Sequence, residues 1–219
     1  MRLKADFDKP ARVLPEDARW SPSPQPGVER LMLDRIGEEK ARATSIVRYA
    51  PDSRFPTHLH DKGEEFLVLD GTFSDQSGDF GPGVYVRNPP GSSHAPWSDG
   101  GCTIFVKLRQ FDADDLARVV VDPAGAAWQS GPEAGVSRLP LHRHGGEEVR
   151  LLGLEAGSEL LVPAGDGGAE LLVLEGACGL DDGTVLGPWA WQRVPAGCAL
   201  ALRCESGCRL YLKTGHLPA

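Results

Sequence analysis

The stretch His58-Leu59-His60-Asp61-Lys62-Gly63-Glu64-Glu65-Phe66-Leu67-Val68-Leu69-Asp70-Gly71 decides how this chain is read. It divides into an extended segment, a turn and a strand. Side chains alternate along a strand, so His58 and His60 share a face. Glu64 follows four residues after His60 and opens an apolar run that Asp70-Gly71 closes. Downstream, Gly83-Val84-Tyr85-Val86-Arg87-Asn88-Pro89-Pro90-Gly91-Ser92-Ser93-His94 brings a third imidazole in after a Pro/Gly turn. Two imidazoles on one face, a carboxylate across a turn and a third imidazole from another strand can converge on one cation. Rigid strands give such donors their preorganisation. Nitrogen and oxygen donors without a thiolate suit Fe, Mn, Ni, Cu or Zn.

Outward from this stretch, the chain repeats itself. Residues 15–39 align with 123–147: Pro15, Trp20, Pro24, Gly27 and Arg30 meet Pro123, Trp128, Pro132, Gly135 and Arg138. Further on, Leu67-Val68-Leu69 and Gly71 meet Leu172-Val173-Leu174 and Gly176. Arg87, Pro89 and Gly91 meet Arg193, Pro195 and Gly197, and Gly101-Cys102 and Lys107 meet Gly207-Cys208 and Lys213. The chain is therefore two copies of one unit, joined near Asp112–Ala117. The expected domains are 1–112 and 113–219.

Each copy reads as short apolar runs, such as 65–69 and 103–106, bounded by turn signals at 70–71, 77–79 and 88–91. Gly (27) and Pro (18) make up about a fifth of the 219 residues, which favours strands and turns over long helices. One short helical turn is expected within 112–119. The fold class is all-β, two barrels or sandwiches in tandem.

A formal net charge of -8 argues against binding nucleic acid or an anionic membrane surface, since both need a basic face. No apolar run reaches the roughly 18 residues that span a bilayer. The start, MRLKADFDKP, has no apolar signal core, and the five cysteines form no CxxC. These features lead us to expect reduced thiols in a cytoplasmic protein.

The two ligand stretches resemble the signature motifs of the cupin superfamily, whose fold is a small jelly-roll barrel. The first motif, G-x5-H-x-H-x3-4-E-x6-G, is met from His58 through Gly71, with Asp52 in place of its opening glycine. The second, G-x5-P-x-G-x2-H-x3-N, is met from Gly83 through His94, with Ser98 in place of its asparagine. These departures fall at turns and leave the ligands in place. The stretches ARATSIVRYAPDSRFPTHLH, GEEFLVLDGTFSD, VYVRNPPGSSHAPW and GCTIFVKLRQF are similar to the ChrR-like cupin group. That group includes the zinc-holding cupin domain of the anti-sigma factor ChrR and stand-alone bicupins. The resemblance implies two tandem cupin (double-stranded β-helix) barrels and one divalent transition metal, zinc or iron ahead of manganese or nickel. The implied ligands are His58, His60, Glu64 and His94. Glu65 competes for the carboxylate role, but its spacing to Gly71 is one residue short and it should face away.

The second copy serves as a control. Opposite the four ligands stand Pro163, Gly165, Ala169 and Leu200, none of which holds a metal by its side chain. This copy is expected to be structural, a cover or a dimerisation module. His142 and His144 with Glu147 and Glu148 imitate the motif but align with Asp34 and Ile36, one strand too early. Cys198, Cys204 and Cys208 with His216 suggest zinc, yet Cys208 repeats Cys102 within an apolar strand, so the thiols are expected in the core. Arg35/Arg143 and Arg87/Arg193 recur in both copies, which points to a structural role.

The resemblance implies a sensor or regulatory module. ChrR grips its sigma factor with an H-x3-C-x2-C segment, and this chain has no such pattern, so a sigma-factor partner has no support here. The alternative is an Fe(II)-dependent dioxygenase cleaving a C–C bond of a small diketone or hydroxyketone. A small-molecule ligand and a homodimer are expected partners. For the pocket, alternation places Phe66 beside Glu64 on the inward face, and Phe55 and Trp97 flank the ligand segments. Tyr85 or Arg87 is expected to reach the mouth.

Overall fold

The computed structural model describes residues 1–218; Ala219, the end of the expected second domain, lies outside the described residues. In the first unit, strand Glu64–Gly71 runs between Cys102–Leu108 and Tyr85–Asn88. Cys102–Leu108 pairs on its other side with Arg42–Tyr49, and that strand with Val28–Ile36. Phe66 and Val68 enter a core with Val47, Tyr49, Ile104 and Val106. Glu65 and Leu67, on the opposite face, are buried as well. Burial on both faces explains why the strand reads as a nearly unbroken apolar run.

A second sheet of Gly78–Phe80, Phe73–Asp75, Trp97–Ser98 and Ser53–Arg54 adds Phe73 and Phe80 to the same core. A two-stranded pair, His58–Leu59 with Ser93–His94, sets His94 directly opposite His58. These sheets enclose the core of one jelly-roll barrel. The glycine that ends the first motif is required by geometry. Gly71 has φ +71°, and a Cβ there would lie 2.2 Å from the Gly101 carbonyl oxygen. Its repeat mate Gly176 has φ +69° and the same clash with Gly207 at 2.1 Å. Asp52 adopts φ 61°, a left-handed conformation that aspartate tolerates better than most residues. Ser98 donates its hydroxyl to the Thr72 carbonyl at 2.6 Å.

The second unit has the same plan. Its larger sheet orders Gln129–Ser130, Val136–His144, Glu147–Leu154, Cys208–Thr214, Ala169–Gly176, Trp191–Val194 and Ala11–Val13. Its smaller sheet holds Ser158–Val162, Leu200–Cys204, Cys178–Leu180 and Val185–Leu186. Leu152, Leu171, Val173, Leu202 and Leu210 fill its core.

The compact units are Met1–Ala5 with Arg19–Gly125, and Asp6–Ala18 with Ala126 onward. Each unit takes one strand from across the expected boundary at 112/113. Strand Ala11–Val13 completes the sheet of the second unit, against Trp191–Arg193. Its repeat mate, Val119–Val121, completes the sheet of the first, against Tyr85–Arg87. The expected helical turn at 112–119 does not form. Asp115 is bound by Arg87, and the chain passes through a turn at 113–114 into the strand Val119–Val121. The helical segment among the described residues is a single 3-10 turn at Pro15–Asp17. No described helix is long and apolar enough to cross a membrane.

Candidate metal centre

Strand pairing brings the four sequence-predicted donors together. His58 and His94 come from the short strand pair, His60 follows just after it, and Glu64 opens the strand next to Tyr85–Asn88. One donor atom from each of His58, His60, Glu64 and His94 lies within 4.8 Å of all the others. His60, Glu64 and His94 are buried and His58 is half-buried.

The outer nitrogen of each ring is fixed by a partner. His58 Nδ1 lies 3.1 Å from the Pro56 carbonyl, and His94 Nδ1 lies 3.1 Å from Asp75 Oδ2. Both partners only accept, so both nitrogens carry the proton. His60 Nδ1 lies 3.0 Å from Ser92 Oγ, whose own proton goes to the Pro89 carbonyl at 2.6 Å. Ser92 therefore accepts from His60. With each Nδ1 donating outward, the Nε2 of each neutral ring turns its lone pair inward. His94 Nε2 stands 3.2 Å from His58 Nε2 and 3.4 Å from Glu64 Oε1. His60 Nε2 is buried without a hydrogen-bond partner, 3.5 Å from the same Oε1. Lone pairs and a carboxylate facing one another with no proton between them repel, and a cation at their centre reverses the sign.

The spacing suits one ion. Donors about 2.1 Å from a common ion stand about 3.0 Å apart at right angles and about 3.4 Å apart in a tetrahedron. The observed separations of 3.2, 3.4 and 3.5 Å lie close to those values. Burial pushes the His60 pKa down; Glu64 opposes this, and His94 and His58 add to it, so the neutral donor form is favoured. Burial alone would raise the Asp75 pKa, but the bonds from His94 and the Ser77 N–H outweigh it and hold Asp75 below the usual carboxylate range. Asn88 Nδ2 reaches Glu64 Oε1 at 3.4 Å. Carboxylate-to-imidazole support of the Asp75 kind orients metal-binding histidines.

A cavity of about 440 Å³ adjoins the donors, bordered by Tyr49, Phe55, Phe73, Ile104 and Val106. Phe66 lies behind it, buried against Phe73 at 4.6 Å. Trp97 is half-buried with Arg54 at 5.9 Å over its ring. Neither borders the cavity. Tyr85 and Arg87 do not reach the mouth, because both bind Glu65 on the other face of the sheet. Glu65 faces away from the histidines, as strand alternation predicts. Sequence reasoning missed Tyr49, Asp75 and Ser92. The alternation used on Glu64–Gly71, applied to Arg42–Tyr49, would have found Tyr49. Nothing in the spacing marks Asp75 or Ser92.

The second copy departs from several expectations. Cys204 and Cys208 are core residues, but Cys198 is exposed, in the connection between strands Trp191–Val194 and Leu200–Cys204. His216 is held by Glu170 at 3.0 Å. Arg193 is fully buried, as is Arg87, whereas Arg143 is exposed and Arg35 buried, so that pair does not share a role. Glu147 pairs with Lys213 at 3.0 Å, and Glu148 with Arg150 at 3.1 Å.

Comparison with known proteins agrees with this fold. The family model described as the ChrR Cupin-like domain matches residues 8–112 and again 116–218. The fold is shared with pirin YhhW from Escherichia coli, solved in complex with nickel(II), at TM-score 0.72 and 11% identity, covering 96% of this chain and 100% of that one. A Cupin 2 conserved barrel domain protein from Leptotrichia buccalis matches at TM-score 0.62 and 13% identity, covering 97% and 98%. A salicylate 1,2-dioxygenase from Pseudaminobacter salicylatoxidans matches at TM-score 0.61 and 13% identity, covering 90% and 76%. No curated protein matches the sequence.

Proposed function

The chain belongs to the ChrR cupin-like family, and on that premise we propose that it is a regulatory bicupin whose first barrel holds one divalent transition metal on His58, His60, Glu64 and His94. One observation carries the metal: the Nε2 atoms of three imidazoles and a carboxylate oxygen converge, with His94 Nε2 3.2 Å from His58 Nε2 and Glu64 Oε1 3.4–3.5 Å from His94 and His60. The metal, when bound, supplies a Lewis-acid centre beside the cavity. Pro56, Ser92 and Asp75 hold the rings in register. Phe55 and Phe73 keep the cavity wall apolar. Burial raises the pKa of the Tyr49 phenol, and the charge of Glu64 raises it further, so Tyr49 stays protonated as a donor at the cavity. In this reading a small molecule entering the cavity is the signal. Sigma-factor binding is not part of the proposal. Zinc or iron is the expected ion, and a homodimer the expected assembly.

A second reading is favoured by the cavity itself. Its size falls in the range of small-molecule sites, and the half-buried His58 leaves one side of the donor set open to it. That arrangement also serves an Fe(II)-dependent dioxygenase acting on a small diketone or hydroxyketone. Elemental analysis of freshly purified protein, followed by oxygen uptake with Fe(II) and a diketone panel, separates the two. Zinc with no uptake supports the regulatory reading; iron with uptake overturns it in favour of the enzyme.

A further inference from the structure

We propose that the second barrel binds a small organic carboxylate with an apolar body, between Arg138 and Arg150. This goes beyond the metal reading and stands without it. A copy kept only as scaffold would be expected to fill the space its donors vacated, because empty apolar volume costs stability. Here Pro163, Gly165 and the Gly/Ala-rich loop 163–168 border a cavity of about 610 Å³, larger than the one of about 440 Å³ beside the imidazoles. Its volume lies within the range of small-molecule sites.

The lining has two parts. Leu152, Leu160, Val162 and Leu212 form an apolar floor, and Arg138 and Arg150 border the same space. Arg138 repeats Arg30. Arg150 stands opposite Pro140 in the strand register, where the first barrel has Ser45 opposite Met32. A guanidinium at this strand position therefore belongs only to the copy that lost the metal donors; the second arginine beside the first cavity, Arg109, lies after another strand and is paired with Asp61. Arg138 is held by Glu133, and Arg150 by Glu148 at 3.1 Å. A guanidinium has five N–H donors, so one acid leaves several unused. The Nε atoms of both arginines are shut off from the cavity, so the donors left for a ligand are those of the outer Nη groups. Burial lowers the Arg150 pKa; Glu148 opposes this, and the like charge of Arg138 lowers it further. A carboxylate seated between the two forks relieves that repulsion and gains bidentate bonds. Glu133, Glu148 and the exposed Asp166 also border the cavity. The attraction is therefore local to the two forks, and the apolar floor is needed to hold the ligand.

Titration calorimetry of the full chain with 4-methylpentanoate and its neutral amide tests this. The acid should bind saturably and the amide about tenfold or more weaker. Arg150→Ser, which installs the residue of the first barrel, should weaken the acid by a similar factor. Arg150→Lys guards against a folding artefact, because it keeps the charge and the stem but not the planar fork. It should weaken the acid with the thermal midpoint unchanged, whereas His94→Ala should leave binding intact. No saturable binding by the wild-type chain, equal binding of acid and amide, or undiminished binding by Arg150→Ser would overturn the proposal.

Discussion

On equivalent strands the two barrels agree at one residue and part at its neighbour. Glu64 faces three imidazoles, while its counterpart Ala169 faces no side-chain donor set. Yet the next residue is glutamate in both copies, buried in both, and set opposite a buried arginine and a buried lysine: Arg87 and Lys107 for Glu65, Arg193 and Lys213 for Glu170. Tyr85 and Trp191, which are repeat mates, each donate to that glutamate. One face of the strand carries the framework and the other the chemistry. A duplicated copy can lose the second without losing the first, because alternation keeps the two sets of side chains on opposite sides of the backbone.

That division can be attacked in several places. The largest effect is expected at a ligand: His94→Ala should lower metal affinity more than about a hundredfold, since removing merely supporting groups already costs 10–100-fold. Competition against a chromophoric chelator would measure it. On the framework face, Arg87→Met should destabilise the fold by about 3–5 kcal/mol, because the buried carboxylates of Glu65 and Asp115 both lose the guanidinium that bridges them. Chemical denaturation would read the loss, and unchanged stability would mean the shared face is not the framework. Asp75→Asn sits between the two roles. It touches no ion, but it frees His94 Nδ1 from its carboxylate, and a loss of about 10–100-fold in metal affinity is expected with the fold retained.

Acid should act on one barrel only. A protonated imidazole has no lone pair to offer, so metal should leave as the pH falls below roughly 6. The downward shift at His60 lets that ring keep its lone pair to lower pH than an ordinary histidine. Full retention at about pH 4.5 would count against three histidine ligands. The smallest effect is expected from His142→Ala, which should leave metal content unchanged; a loss there would erase the distinction between motif and imitation.

Much of this was legible in the chain. The repeat, the strand-and-turn rhythm and the four converging donors all follow from residue spacing, because period-two alternation and fixed turn glycines translate directly into geometry. Gly71 and Gly176 are the plainest instance, each forced by a carbonyl that leaves no room for a Cβ. What escaped were contacts between distant segments. Asp75 reaches His94 and Ser92 reaches His60 across separate strands, and no local pattern encodes such pairings. The placement of Ala11–Val13 in the second unit and Val119–Val121 in the first was hidden for the same reason. Phe66 had the expected face, but alternation says nothing of depth, and the ring lies behind the cavity wall formed by Phe73.

The central claim is that one ion is held by the first barrel and none by the same positions of the second. Metal content per chain, measured by mass spectrometry on wild-type protein and on His94→Ala after loading with zinc or Fe(II) and desalting, tests it most directly. The account predicts a single equivalent in the wild type and close to zero in the variant. Two equivalents in the wild type, or a full equivalent retained by the variant, would contradict it.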